Sequence, residues 1–247
     1  MNEFYVYLAE FLGAAFLVFL GDGVVANTLL NKSAFKGGGP VFITIGWGIA
    51  LALPVCLFAG ISGAHLNPAL SLGMAITGQM EWITCLWYVI AQMLGGFVGA
   101  IFMWICFLDQ FDGSDDPATI KACFCTAPAV RHYSVNLVEE ILITFALVFI
   151  VLGFGGPSVG MAGGVNYILV FFLLTGIGMS FGGITAYGLN PCRDLAPRIA
   201  HAILPIKGKG SSDWAYSWVP VVGSIIGATL GALLYKVLLQ GGFWAVV

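Results

Sequence analysis

A chain of 247 residues with 60% apolar and only 9% charged residues, at a mean hydropathy of +0.98, falls outside the ordinary soluble class, in which about a quarter of residues are charged. A net charge of −3 without any basic cluster argues against nucleic acid as a partner. The charges are also bunched: none occurs between Lys36 and Glu81 or from Ile141 to Cys192, runs too long for one buried helix and suited to consecutive membrane spans.

In chain order, the apolar stretch from Phe4 to Leu30 lacks a basic leader and is too long for a signal core. It reads as a first span near 4–28, and it carries an intramembrane carboxylate, Glu10. A second span follows near 41–60. The sequence Ser62-Gly63-Ala64-His65-Leu66-Asn67-Pro68-Ala69 then interrupts the apolar run. Proline at a first helical position lacks a donor that would have had no intrahelical partner, so Asn67-Pro68 reads as a capped helix start. Asn67 to Ile76 is roughly 15 Å of helix, half of a bilayer core of about 30 Å. Such a segment cannot span, but it can enter and turn back where its irregular backbone is buried or lines a cavity.

The third span lies near 83–107, where Gly95, Gly96 and Gly99 permit the close packing that an oligomer or bundle needs. The connection near 109–134 holds Asp109, Asp112, Asp115 and Asp116. Ile120 occupies the position where a calcium loop needs glutamate, so the segment reads as a solvated loop with no metal. Of the six cysteines, Cys56, Cys85, Cys106 and Cys192 read as small buried hydrophobes, and the loop pair Cys123 and Cys125 as a minor redox candidate.

Spans four and five fall near 136–154 and 165–182. Leu189-Asn190-Pro191-Cys192 then opens a second half-helix to Ala202, and a sixth span lies near 216–239. The two asparagines are 123 positions apart (190 − 67) in the chain. Glu140 in span four matches Glu10 in span one, each followed by a Leu-Val-Phe run. Each half therefore reads span, span, half-helix, span, within a single domain over 1–247: repeat one about 1–108, a connection about 109–134, and repeat two about 135–247. Three full spans per half make the second copy enter from the opposite side, an inverted repeat whose half-helices meet near the midplane. The fold class expected is an all-α membrane protein of six spans and two re-entrant half-helices. Of the nine Lys and Arg residues only Lys236 lies on the side of the N-terminus, which by charge count places that terminus outside.

Two facing half-helix N-termini put unpaired N–H groups and two positive dipole ends at one level. Asn67 and Asn190 spend their side-chain oxygens on the caps and keep amide donors for a passing molecule. That centre suits a neutral solute with a lone pair and repels cations, hydronium included. Arg193 lies almost one turn beyond Asn190 and either lines a cavity or pairs with adjacent Asp194; the cavity reading is favoured, because charge is costly at that depth. Glu10 and Glu140 read as acceptors for re-entrant-loop N–H groups, with a proton relay as the lesser alternative. His65 reads as loop-bracing, with its carbonyl toward the pore.

These two Asn-Pro loops, both glutamates and the inverted repeat resemble the aquaporin family over nearly the whole chain, and in detail its glycerol-conducting branch, the bacterial glycerol facilitators. The resemblance implies a cytoplasmic N-terminus, against the charge count, and a homotetramer in the plasma membrane with one pore per subunit. It assigns an outer filter to Trp47, Gly178, Tyr187 and Arg193. There Trp47 and Tyr187 form an apolar corner, Arg193 donates from the opposite side, and Gly178 leaves room. It assigns pore carbonyls to Gly63, Ala64 and His65, and to Ala186, Tyr187 and Gly188. Asp194, Arg198 and Pro220 resemble residues typical of glycerol conductors; Asp194 joins Glu10 and Glu140 as loop-bracing. The Asn-Pro triplets are Asn67-Pro68-Ala69 and Asn190-Pro191-Cys192, in which Cys192 replaces the usual alanine and offers a mercurial target. Tyr187 replaces the facilitators' phenylalanine. Glycerol with water is the expected solute, alternatives being water alone, lactic acid, urea or hydrogen peroxide. A proton-coupled transporter is a different class that would need Glu10 and Glu140 as its ion site. No P-loop and no clustered nucleophile, base or metal set occurs, so neither an enzyme nor a cofactor is expected.

Overall fold

A computed structural model of the chain describes residues 2–154 and 165–240. In chain order the helices are α1 (Glu3–Leu29), α2 (Gly39–Ser62), α3 (Pro68–Ile76), α4 (Trp82–Cys106), α5 (Leu108–Asp112), α6 (Pro117–Ala122), α7 (Tyr133–Gly153), α8 (Val165–Thr185), α9 (Pro191–Ile203) and α10 (Trp214–Tyr235), the last continued by a π-helical turn over Lys236–Gln240. Six of them (α1, α2, α4, α7, α8 and α10) are long and apolar enough to cross a membrane. The described residues contain no strand, and the protein is an all-α, multi-pass membrane protein. The predicted spans are found with ends displaced by a few residues.

The packing has an internal symmetry. α1 runs along α4 and α2, and α7 runs along α10 in the matching place. The half-helices α3 and α9 have 9 and 13 residues. At about 1.5 Å per residue neither reaches across a bilayer core. Each packs chiefly against the last span of the other half, α3 on α10 and α9 on α4, so neither repeat buries its own half-helix alone.

Glycines make the closest crossings. A Cβ on Gly95 would stand 2.1 Å from the Phe11 carbonyl oxygen, and one on Gly99 would stand 2.3 Å from that of Ala15. On the other side a Cβ on Gly223 would stand 2.6 Å from the Glu140 Cβ, and one on Gly227 would stand 2.4 Å from the Ile141 oxygen. The small residues of α4 therefore serve the bundle interior. Gly99→Val is expected to force α1 off α4, since the obstacle is backbone and overpacking costs about 1–3 kcal/mol even where side chains can yield. Loss of the monodisperse peak in detergent size exclusion, with no channel recovered, is the measurement.

The connection between the halves departs from the predicted solvated loop. Asp109, Asp112, Asp115 and Asp116 are exposed, and Asp116 caps α6 by accepting from Ala118 N and Thr119 N at 3.2 and 3.1 Å. Phe111, Ile120, Cys123, Phe124 and Cys125, however, are buried in the main core. The Phe124 ring lies 5.4 Å from that of His201 on α9. The pattern is amphipathic, and only its acidic side is solvated. Burial pushes the Cys125 thiol up to about 12 and holds the Cys123 thiol well above its ordinary value. The thiolate is the reactive form, so neither cysteine is poised for redox chemistry. Of the four cysteines expected to be buried, Cys85 and Cys192 are buried, whereas Cys56 and Cys106 are exposed.

Candidate functional site

The segments joining α2 to α3 and α8 to α9 run through left-handed backbone. Gly63, Ala64 and Leu66 in the first, and Ala186, Tyr187 and Leu189 in the second, have φ between +42 and +83. For a residue with a Cβ this costs about 1–2 kcal/mol, so the loops persist only because their donors are held. Glu10 holds the first: Oε1 accepts from His65 N at 2.9 Å and the Ser62 hydroxyl at 2.6 Å, and Oε2 accepts from Leu66 N at 2.9 Å and Gln92 Nε2 at 2.7 Å. Glu140 holds the second: Oε1 accepts from Gly188 N at 2.8 Å and the Thr185 hydroxyl at 2.6 Å, and Oε2 accepts from Leu189 N at 3.0 Å.

This bonding turns the carbonyls. In a trans peptide the C=O points opposite to the N–H of the same plane. With His65 N and Leu66 N directed at Glu10, the carbonyls of Ala64 and His65 point away from it. Ala64 N donates to the Ser62 hydroxyl at 3.0 Å, which orients the Gly63 carbonyl in the same sense. In the second loop the same reasoning turns the carbonyls of Tyr187 and Gly188 away from Glu140. Gly63, Ala64, His65, Tyr187 and Gly188 line a cavity of about 250 Å³, which Ala186 does not reach. That volume far exceeds the roughly 10–15 Å³ that a single water needs. The His65 ring braces its own loop, its Nδ1 lying 3.1 Å from the Ser71 hydroxyl.

At the centre the Asn67 side-chain oxygen accepts from Ala69 N at 2.9 Å, and that of Asn190 accepts from Cys192 N at 2.9 Å. Pro68 and Pro191 take the first helical positions. The amide nitrogens cross over: Asn67 Nδ2 donates to the Leu189 carbonyl at 3.1 Å and Asn190 Nδ2 to the Leu66 carbonyl at 2.9 Å. Each asparagine thus caps its own half-helix, ties itself to the opposite loop and retains one amide hydrogen. Both line the cavity. Cys192 does not. Its thiol donates to the Gln92 carbonyl at 3.0 Å and fills the space over Gly96, so it faces α4 and offers no target to a mercurial in the lumen.

Trp47, Tyr187 and Arg193 also line the cavity, and Gly178 does not. The family resemblance implies that Arg193 donates from the side opposite Trp47 and Tyr187. Instead the guanidinium carbon lies 4.0 Å from the Trp47 ring centroid, stacked on its face. Gly178 sits behind Tyr187: a Cβ there would stand 3.1 Å from the Tyr187 Cζ and 2.9 Å from the Thr44 Cγ2. The room it leaves is filled by the phenol, which also rests on Gly182.

Asp194 does not pair with Arg193. It accepts from Thr126 N and Oγ1 at 2.7 and 2.6 Å and from Arg198 Nε and Nη2 at 3.0 and 2.8 Å. Arg198 gives its remaining donors to the Thr126, Ser212 and Asp213 carbonyls. All five N–H groups of that buried guanidinium are consumed in tying α9 to the segments around 126 and 212.

Several site residues escaped the sequence reading. Ser62 and Thr185 both stand five residues before an Asn-Pro asparagine, a repeat-offset match that would have found them. Glu139 is buried beside Glu140, its Oε2 2.5 Å from the Thr185 hydroxyl. Asp22, the third acidic residue of α1 after Glu3 and Glu10, lies 3.7 Å from Arg193 Nη1, and an acid inside an apolar span is itself a functional-site signal.

Against known proteins, the profile of the family described as "Major intrinsic protein" matches residues 2–235. The chain is 52% identical over 231 residues to the Thermotoga maritima protein named "Probable glycerol uptake facilitator protein", covering 94% of this chain and 98% of that one. It is 47% identical to "Glycerol uptake facilitator protein 3" of Lactiplantibacillus plantarum, covering 94% and 95%. Among solved structures the aquaglyceroporin of Plasmodium falciparum superposes with a TM-score of 0.86 at 28% identity, covering 95% of this chain and 96% of that one.

Proposed function

The chain belongs to the major intrinsic protein family, and from that premise we propose that it is a passive channel of the plasma membrane for glycerol and similar small uncharged polyols, with water, that excludes ions and protons. The family is one of channels rather than enzymes. The observation that carries the solute class is the pairing of chemistries along one cavity. Arg193 N–H groups and the two asparagine amides donate; the carbonyls of Gly63, Ala64, His65, Tyr187 and Gly188 accept; the faces of Trp47 and Tyr187 meet CH groups. A hydroxyl on each carbon of a short chain uses donor and acceptor alternately and presents its carbons to the aromatic side. Similarity to proteins named as glycerol facilitators supports the same reading.

Charge is refused on two grounds. A cation meets the N-termini of α3 and α9 and the Arg193 guanidinium together. A file of protons is interrupted where each asparagine offers only a donor. The bonding of Glu10 and Glu140 argues against a proton-coupled carrier, because both carboxyls are committed to loop donors. The outer faces of the spans are apolar and face lipid or neighbouring subunits; a homotetramer with one pore per subunit accords with the family resemblance. The test is stopped-flow light scattering on proteoliposomes under glycerol and sucrose gradients. Fast volume recovery in glycerol but not sucrose is expected, and glycerol entry no faster than in empty liposomes overturns the proposal.

A further inference from the structure

The two arginines of α9 are treated in opposite ways. Arg198 spends all its donors on the protein, whereas the Arg193 side chain makes no hydrogen bond to a protein acceptor among the described residues. What holds Arg193 in place takes none of its N–H groups: the Trp47 face on one side and Asp22 on the other. At 3.7 Å the Asp22 Oδ1 is too far from Nη1 for a hydrogen bond, yet close enough for strong attraction where water is excluded.

Asp22 itself has no other occupation. It is 1% exposed, and neither carboxyl oxygen has a hydrogen-bond partner among the described residues. Among the described residues Arg193 is the cation it faces, and Asp194 and Cys192 on α9 and Cys123 and Cys125 after α6 are ionisable groups that also feel it. Its neighbour Gly21 gives way to the Trp47 ring, whose Cζ3 would lie 2.2 Å from a Cβ there. One turn of α1 therefore seats both the indole and the charge that fix the guanidinium.

Resting on the channel reading above, we propose that Asp22 is a specificity-determining residue. It is the buried counter-charge that positions Arg193 and keeps a permeating anion from becoming its counter-ion, while leaving its donors free for neutral hydroxyl-bearing solutes. A hydrogen-bonded partner would occupy those donors, and no partner would leave a bare cation in the lumen, where a permeating anion becomes the counter-ion.

The test compares wild type with Asp22→Asn and Asp22→Glu in proteoliposomes. Water and glycerol permeability are followed with and without sodium lactate, together with lactate-gradient membrane potential. Asp22→Asn is expected to lower glycerol permeability by about tenfold. It should also make the remaining glycerol and water flux sensitive to lactate and open a lactate-dependent potential, while Asp22→Glu restores wild-type behaviour. Glycerol flux at the wild-type level in Asp22→Asn, or equal loss of water and glycerol with no response to lactate, overturns the proposal. Asp22→Ser serves the same comparison if the asparagine variant does not assemble. Because the lactate response is read on water flux as well, failure of the glycerol assignment shows in the wild type and is separate from failure of the role given to Asp22.

Discussion

Glu10→Ala is expected to silence the pore for glycerol and water together. The substitution removes the acceptor of four hydrogen bonds at once, from the Ser62 hydroxyl, His65 N, Leu66 N and Gln92 Nε2, of which only Gln92 Nε2 keeps another partner, Ser71. Each buried donor left without a partner costs about 1–3 kcal/mol, and no bulk water lies within the membrane to take the place of the carboxyl. The left-handed stretch then loses its anchor, directly at Leu66 N and, for Ala64 N, through the Ser62 hydroxyl that Glu10 holds. The damage crosses to the other half, because the Leu66 carbonyl is the acceptor for Asn190 Nδ2. A loss of about 1.4 kcal/mol of pre-organisation is tenfold, so a fall of at least about tenfold in both permeabilities is the expected stopped-flow result. Glu10→Gln keeps one acceptor oxygen and sets its amide group against a donor, so an intermediate flux is expected. A carrier would behave differently: Glu10→Gln would abolish uptake driven by a proton gradient and spare passive exchange.

The fold was legible because its signals are long or doubled. Six apolar runs of membrane length and two Asn-Pro phrases at matching places survive errors of several residues, and inverted symmetry let each half check the other. Roles that follow from repetition were equally readable, such as Glu10 with Glu140 and Asn67 with Asn190. What sequence could not supply was the direction of side chains without a counterpart. The resemblance gives Gly178 the place that leaves room in the lumen, yet which neighbour fills a glycine's space depends on a rotamer of Tyr187 nine residues away. Cys192 sits in a pore triplet, but the hundred degrees between successive helix positions turns it onto α4. Its spacing from Asn190 makes Arg193 a cavity-lining candidate and the family resemblance assigns it to the filter, while its stacking on Trp47 depends on α2, distant in sequence. The segment from 107 to 126 misled because four aspartates dominate its composition, while its few aromatic and aliphatic residues decide where it packs.

The sharpest separation between solutes is expected from Gly178→His. The Cβ alone would approach the Thr44 Cγ2 to 2.9 Å and the Tyr187 Cζ to 3.1 Å, and the imidazole has to go further in the same direction. Thr44 is buried on α2, and the Tyr187 ring is backed by Gly182, where a Cβ would lie 2.8 Å from Cδ1. The ring's free direction is the cavity it already borders, toward Arg193 and Trp47. A phenol pushed there narrows the passage for a carbon chain far more than for a water molecule. Glycerol permeability is expected to fall by about tenfold or more, the equivalent of 1.4 kcal/mol of added barrier, with water permeability kept within about threefold. Gly178→Ala, whose neighbours need to yield only a few tenths of an ångström, should show a small part of the same effect. The double variant Gly178→His with Tyr187→Ala decides the cause. If the displaced phenol is what blocks glycerol, removing it restores flux and the two substitutions are strongly non-additive. If the double variant stays as closed as the single one, the imidazole itself is the obstruction, and the space behind Tyr187 plays no part in setting the width of the pore.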